Sequence, residues 1–138
     1  MSSFSLLISR RFRGIFACIA LGAFNDNYYK NALIILTTYS LAAKMGIEAG
    51  VLISLASACF ILPFFLFSGI AGELADRMEK HRLVRLLKLT ELLLVSLASA
   101  ALFYEHAWGL LIILFLLGMQ AAFFGTTTYA LLPELLTQ

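Results

Sequence analysis

The chain has 138 residues, 62% of them hydrophobic and 13% charged, with a formal net charge of +2 at pH 7. Ordinary soluble domains are about 45–50% apolar and about 25% charged, so this composition excludes a typical soluble protein. The basic residues form no stripe of the kind that grips nucleic acid, and none is expected as a partner.

In chain order the apolar excess falls into four runs, 14–42, 49–71, 83–103 and 108–132. A helix needs about 20 apolar residues to cross about 30 Å of hydrocarbon. Every run reaches that length and none alternates with period two. The expectation is an all-α membrane protein of four transmembrane helices, a single transmembrane region with no soluble domain. Arg10, Arg11 and Arg13 precede the first run as they would in a signal peptide. The stretch nevertheless continues through 25–31 without a small-residue cleavage site, and so reads as a span. Short links make consecutive spans antiparallel neighbours.

Orientation follows from the basic residues. The three leading arginines share a side with Arg77, Lys80, Arg82, Arg85 and Lys88, which lie in or beside the link between spans two and three. The other side holds Lys44, with Glu48, Glu105 and His106. Positive residues stay inside, so both termini are expected in the cytoplasm. Tyr39, Tyr104 and Trp108 fall near the outer ends, where interfacial aromatics belong.

The first span carries Asn25, Asp26, Asn27, Tyr28, Tyr29, Lys30 and Asn31 in one block near its middle. Ionisable groups at such depth cost several kcal/mol unless paired or hydrated. Asp26 and Lys30 are spaced i,i+4 and share a helix face, able to pair, and Gly22, Leu33 and Thr37 continue it. The asparagines point elsewhere, so this turn is polar nearly all round and must face protein or a water-filled cavity. Two readings stand: a structural pair that fixes packing, or a site for substrate or coupling ion, with Asp26 taking a cation and Lys30 an anionic group.

In the second span Pro63 is expected to kink the helix. Cys18 and Cys59 lie within spans one and two without Cys-x-x-Cys spacing and read as small packing residues. In the third, Arg85 and Lys88 are near enough to the inner interface to snorkel. Glu91 is about two turns deeper, and is a candidate path residue or a partner of Lys88. In the fourth, Gly118 with Ala122 and Ala121 with Gly125 are small-xxx-small pairs that let another helix approach. Its threonines, Thr126, Thr127 and Thr128, read as bonding their own backbone, and Pro133 should end it.

The link between spans two and three holds the most specific motif: Gly72-Glu73-Leu74-Ala75-Asp76-Arg77-Met78-Glu79-Lys80-His81-Arg82. It resembles the major facilitator superfamily signature Gly-x-x-x-Asp-Arg-x-Gly-Arg-Arg/Lys at the same place. Gly72, Asp76 and Arg77 match and Lys80 is a conservative match; Glu79 and His81 depart from the pattern. Asp76 could cap a neighbouring helix N-terminus and Arg77 bridge to an acid, a latch that breaks as two bundles rock.

Two further segments sharpen the resemblance. They run from Gly22 through Asn25, Asp26 and Lys30 to Leu33, and from Phe124 through Gly125 and Pro133 to Leu135. With the Gly72, Asp76 and Arg77 motif they look like the lysophospholipid transporter branch of that superfamily. Thr126 and Thr128 stand where that branch often has proline and lysine, which removes a basic group. The resemblance implies the first four helices of the major facilitator fold. It also implies a flippase in the bacterial inner membrane moving lysophospholipid inward by alternating access. Membrane lipid and the C-terminal helices of the same transporter would be its partners, because the family has twelve helices and this chain supplies four. On that basis the chain is expected to be the N-terminal part of a transporter.

Asp26, Asn27, Lys30 and Glu91 are then the candidates for the translocation path. The alternatives are the transporter segment of a lysophospholipid acyltransferase fusion, or another major facilitator substrate. A standalone four-helix membrane protein, such as a small homodimeric exporter, is a third class. Enzymatic chemistry within the chain is not expected. Glycerolipid acyltransferases use His-x-x-x-x-Asp with the histidine as base, whereas Leu86 and Leu111 stand five residues after His81 and His106. Neither a cofactor nor a metal ion is expected.

Overall fold

The computed structural model describes residues 10–36 and 40–136, with side chains described for 13, 14, 16–36 and 40–130. Thr37 and Tyr39 of the sequence reading lie outside that set. Among the described residues helices are joined by short turns, and no strand occurs: α1 (Arg10–Leu36), the single turn α2 (Ala42–Met45), α3 (Ala49–Arg77), α4 (Lys80–Phe103) and α5 (Ala107–Leu136).

Three helices are long and apolar enough to cross a membrane: Ala49–Arg77, Lys80–Phe103 and Ala107–Ala130. They mark the chain as a membrane protein. Their outer surfaces agree, since Phe65, Leu92, Leu93 and Ile112 are exposed, as side chains solvated by hydrocarbon would be. Helix α1 has the length, at 27 residues, but residues 25–31 leave it more polar than the other three.

The helices alternate in direction. Phe60 and Gly72 of α3 lie against Gly118 and Thr126 of α5, so these two run parallel. Lys80 reaches Ala130 and Leu87 and Glu91 meet Gln120, so α4 runs against α5. Tyr29 of α1 bonds Leu110 at the start of α5. The expected up-and-down order is present, but adjacency is not what short links implied. Helix α5 is the centre: α3 packs on it most extensively, then α4, then α1, while α3 and α4 barely touch. Small residues explain the preference. A β-carbon on Gly118 would collide with the carbonyl oxygen of Phe60, so the two backbones approach as only glycine permits. Ala122, one turn on, is buried too.

Several boundaries shift from the sequence expectation. Helix α3 continues past 71 to Arg77 and α4 begins at Lys80, so most of the signature is helical and the true link is Met78, which is extended, and Glu79. Residues 73–77 are good helix formers, and Glu73 and Arg77 pair at i,i+4 with 2.6 Å between charges. Pro133 does not end α5, which carries on to Leu136; a proline deletes one backbone bond, and α3 likewise passes through the buried Pro63 without a break.

At the end opposite the α3–α4 link, Lys44 and Ser40 both bond the Glu105 carboxylate. This clasp ties the α1–α3 connection to the α4–α5 turn. Glu105 holds φ at 49°, left-handed backbone that costs a non-glycine residue about 1–2 kcal/mol.

Candidate functional site

The polar groups of three helices converge on one level of the bundle. On α4, Lys88 and Glu91 sit at i,i+3 and pair at 2.6 Å. Gln120 of α5 donates its amide to the same Glu91 oxygen at 3.2 Å and to the Leu87 carbonyl at 3.4 Å. Glu91 and Gln120 are both buried. A carboxylate at this depth is tolerable because it has a cation and an amide donor.

Lys88 does not snorkel to the interface. Its ammonium turns inward, donating to the Cys18 carbonyl of α1 at 3.1 Å and lying 4.2 Å from the centre of the Phe124 ring. Gly22 makes this possible. A β-carbon there would come within 3.1 Å of the Lys88 Nζ and 3.6 Å of a Glu91 oxygen, so its absence opens a window onto the α1 backbone.

On α1 the expected partners diverge. Asp26 and Lys30 do not pair: Lys30 places its ammonium 4.3 Å from the centre of the Phe60 ring on α3. One oxygen of Asp26 is buried without a hydrogen-bond partner, as is the amide nitrogen of Asn25. Asp26 lies within electrostatic reach of Glu91, Lys30 and Lys88. Asn27, the other path candidate, is exposed and bonds its own helix at the Ala23 carbonyl, 2.8 Å away. The structure therefore brings Asp26 and Glu91 into one charged neighbourhood, sends Lys30 toward α3 and leaves Asn27 outside. Tyr29 anchors α1, buried and donating to the Leu110 carbonyl at 3.2 Å.

Sequence reasoning offered Lys88 as a partner of Glu91 and set Gly22 on the Asp26 face, but it did not bring Gln120 or Tyr29 into this centre or join α1 to α4 through Gly22. The available signals were the i,i+3 spacing of Lys88 and Glu91 and an isolated glutamine in an otherwise apolar run. Nothing local tells that Gly22 faces Lys88.

The signature residues sit far from this centre. Arg77 pairs with Glu73 on its own helix, and Arg82 with Glu79 at 2.6 Å, all four well exposed. Asp76 is exposed, and no side chain caps the N-terminus of α4. Gly72 makes only an ordinary contact, 3.9 Å from Thr126. The three threonines bond the carbonyls of Ala122, Phe123 and Phe124 at 2.7–2.8 Å, as their position in a helix predicts. Both cysteines are free and half-buried. Among the described residues no cluster suited to a metal ion forms.

A groove of about 280 Å³ opens beside the cluster, lined by Cys18, Leu21 and Asn25 of α1 and Lys88, Glu91, Leu92 and Val95 of α4. No family model, curated protein or solved structure matches the chain.

Proposed function

We propose that the chain takes part in moving lysophospholipid across the bacterial inner membrane, as part of a transporter related to the major facilitator superfamily. One observation carries the reading. Two acids and two amines, Asp26, Glu91, Lys30 and Lys88, lie among apolar helices with a buried carboxylate oxygen and a buried amide left unbonded. A purely structural cluster would satisfy every polar atom, because an unmet hydrogen bond at that depth costs about 1–3 kcal/mol. Unmet groups beside a balanced set of charges fit a site that exchanges partners with a ligand.

In this reading α1 is the fourth span, its polar turn turned to the transport path. In the same reading both termini lie in the cytoplasm, which the basic residues of α1 and of the α3–α4 link support. Asp26 takes the cationic part of a zwitterionic head, Lys88 the anionic part, and the exposed apolar faces accommodate one acyl chain. Uptake of labelled lysophosphatidylethanolamine by spheroplasts tests it. Asp26→Ala in the protein as it is made in the cell is expected to cut uptake at least about tenfold, the effect of one lost charge contact. Uptake at the wild-type rate removes Asp26 from the path.

A further inference from the structure

Lys88 stands between two carboxylates and serves one of them. It donates to a Glu91 oxygen at 2.6 Å and to the Cys18 carbonyl of α1 at 3.1 Å. The other acid, Asp26, keeps an oxygen buried and unbonded. Helix geometry sets how near it is. A β-carbon on Gly22 would lie 3.1 Å from the Lys88 Nζ, so the ammonium sits against α1 at the level of Gly22. Asp26 is four residues on, one turn along the same face. Helical side chains lean back toward the N-terminus and cover the preceding turn, which carries the Asp26 carboxyl toward Gly22. The Asp26 charge accordingly interacts with both Lys88 and Glu91.

A buried lysine does not ordinarily leave its acid, because the carboxylate left behind is stranded. Glu91 has a stand-in. Gln120 of α5 donates to the same oxygen at 3.2 Å, so the carboxylate stays hydrogen-bonded when Lys88 goes. Asp26 has none, since Lys30, its i,i+4 neighbour, is turned to the Phe60 ring. Moving Lys88 from Glu91 to Asp26 therefore exchanges one ion pair for another. Gly22 puts no side chain in the way, and α1, which packs less on α5 than α3 or α4 does, is the helix that the move would draw in.

We propose that Lys88 is a two-position cation, paired with Glu91 in the present structure and with Asp26 in a second state, where Gln120 holds Glu91 after it leaves. In the first position α4 keeps the lysine and touches α1 only through a carbonyl. In the second an ion pair joins the two helices directly. The purpose of the exchange rests on the transport reading. Lys88 then occupies the carboxylate that takes the cationic part of the substrate, so an empty site closes on itself and substrate has to displace the lysine. The exchange itself needs no substrate and is measured without one.

Asp26 and Asp76 are the only aspartates of the chain, which makes the test selective. The full chain is prepared with isotope labels on the aspartate carboxyl carbons and the lysine Nζ nitrogens and placed in phosphatidylcholine nanodiscs. Solid-state NMR then reads the carbon–nitrogen dipolar coupling at each carboxyl, and Asp26→Asn identifies the signals. Wild-type protein is expected to show partial dephasing at Asp26. Lys88→Arg, which keeps the charge but carries no labelled Nζ, should remove it. Glu91→Gln takes away the competing carboxylate and should raise the dephasing to that of a full ion pair. Gln120→Leu deprives Glu91 of its stand-in and should shift the ratio of the two positions about tenfold toward Glu91, the weight of one hydrogen bond to a charged group. Dephasing that is as strong with Lys88→Arg belongs to Lys30 and overturns the exchange. So does its absence in the wild type or in Glu91→Gln, or a Gln120→Leu signal equal to that of the wild type. Exchange together with wild-type uptake in Asp26→Ala would keep the two positions and sink the role of Asp26 in transport. Lost uptake in Asp26→Ala without exchange would do the reverse.

Discussion

At the scale of residues, Glu91 depends on Lys88 more than on any other group. Removing one member of a buried ion pair leaves an uncompensated charge and costs about 3–5 kcal/mol, whereas replacing both by apolar groups is often neutral. Lys88→Leu is therefore expected to lower thermal stability in detergent sharply. The double substitution Lys88→Leu with Glu91→Leu should recover most of the loss, because the stranded carboxylate is gone. Equal instability of the two variants would mean that the pair contributes nothing and that Lys88 matters only through Cys18 and Phe124. The pairing itself was readable from the i,i+3 spacing. The inward turn of Lys88 was not, since it depends on a glycine of another helix standing opposite. Asp26 and Lys30 teach the same lesson in reverse. Their spacing placed them on one face, but an aromatic ring from α3 captured the lysine, and no local rule anticipates that competitor.

At the scale of elements, glycines separate into those with a neighbour and those without. Gly118→Ala must push Phe60 and its backbone aside, and is expected to cost about 1–3 kcal/mol, as overpacking of a tight contact does. Gly125→Ala meets nothing within 4 Å and serves as the neutral control; titration of folded protein with denaturing detergent reads both. The small-residue stripe on α5 was visible in the sequence, whereas which of its two pairs would be used was not, because that depends on where Phe60 falls.

The clasp at the other end carries a pH dependence of known sign. The Lys44 hydrogen bond, then its charge, then the Ser40 hydroxyl hold the Glu105 carboxyl below its ordinary 4.5. A carboxyl lowered in the folded state stabilises fully above its unfolded value and loses that contribution as pH falls through the lowered one. Spin labels at Ala43 and Tyr104 should thus keep a constant separation from neutral pH down to about 4.5 and part only in stronger acid. In Lys44→Met they should be apart throughout. The length of the spans was legible from hydropathy. The helical run through Arg77 was missed because a signature known for its place between two spans was taken as loop, while its own residues favour helix.

At the scale of the whole molecule, the composition alone announced a membrane protein, and the alternation of short links announced the up-and-down order. Which helix would be the hub was hidden, since α3, α4 and α5 are all long and apolar enough to span and only tertiary contact distinguishes α5. Its place as hub makes a quantitative difference to shortened chains. A chain ending before Ala107 loses the partner of α3, α4 and α1 at once. It is expected to be digested by added protease in detergent at a concentration that leaves the full chain intact. Resistance equal to that of the full chain would show that the remaining helices hold one another without α5.

That arrangement has a consequence for the order of synthesis. The ribosome delivers α1, α3 and α4 first, and each enters the bilayer before the surface it packs against exists. Polar atoms of α1 and the Lys88–Glu91 pair must then wait near the insertion machinery or in partly hydrated positions until α5 emerges with Leu110, Gln120 and Phe124. Packing of these helices is thereby postponed until α5 is made, and the time spent waiting is set by how fast residues 107–130 are synthesised.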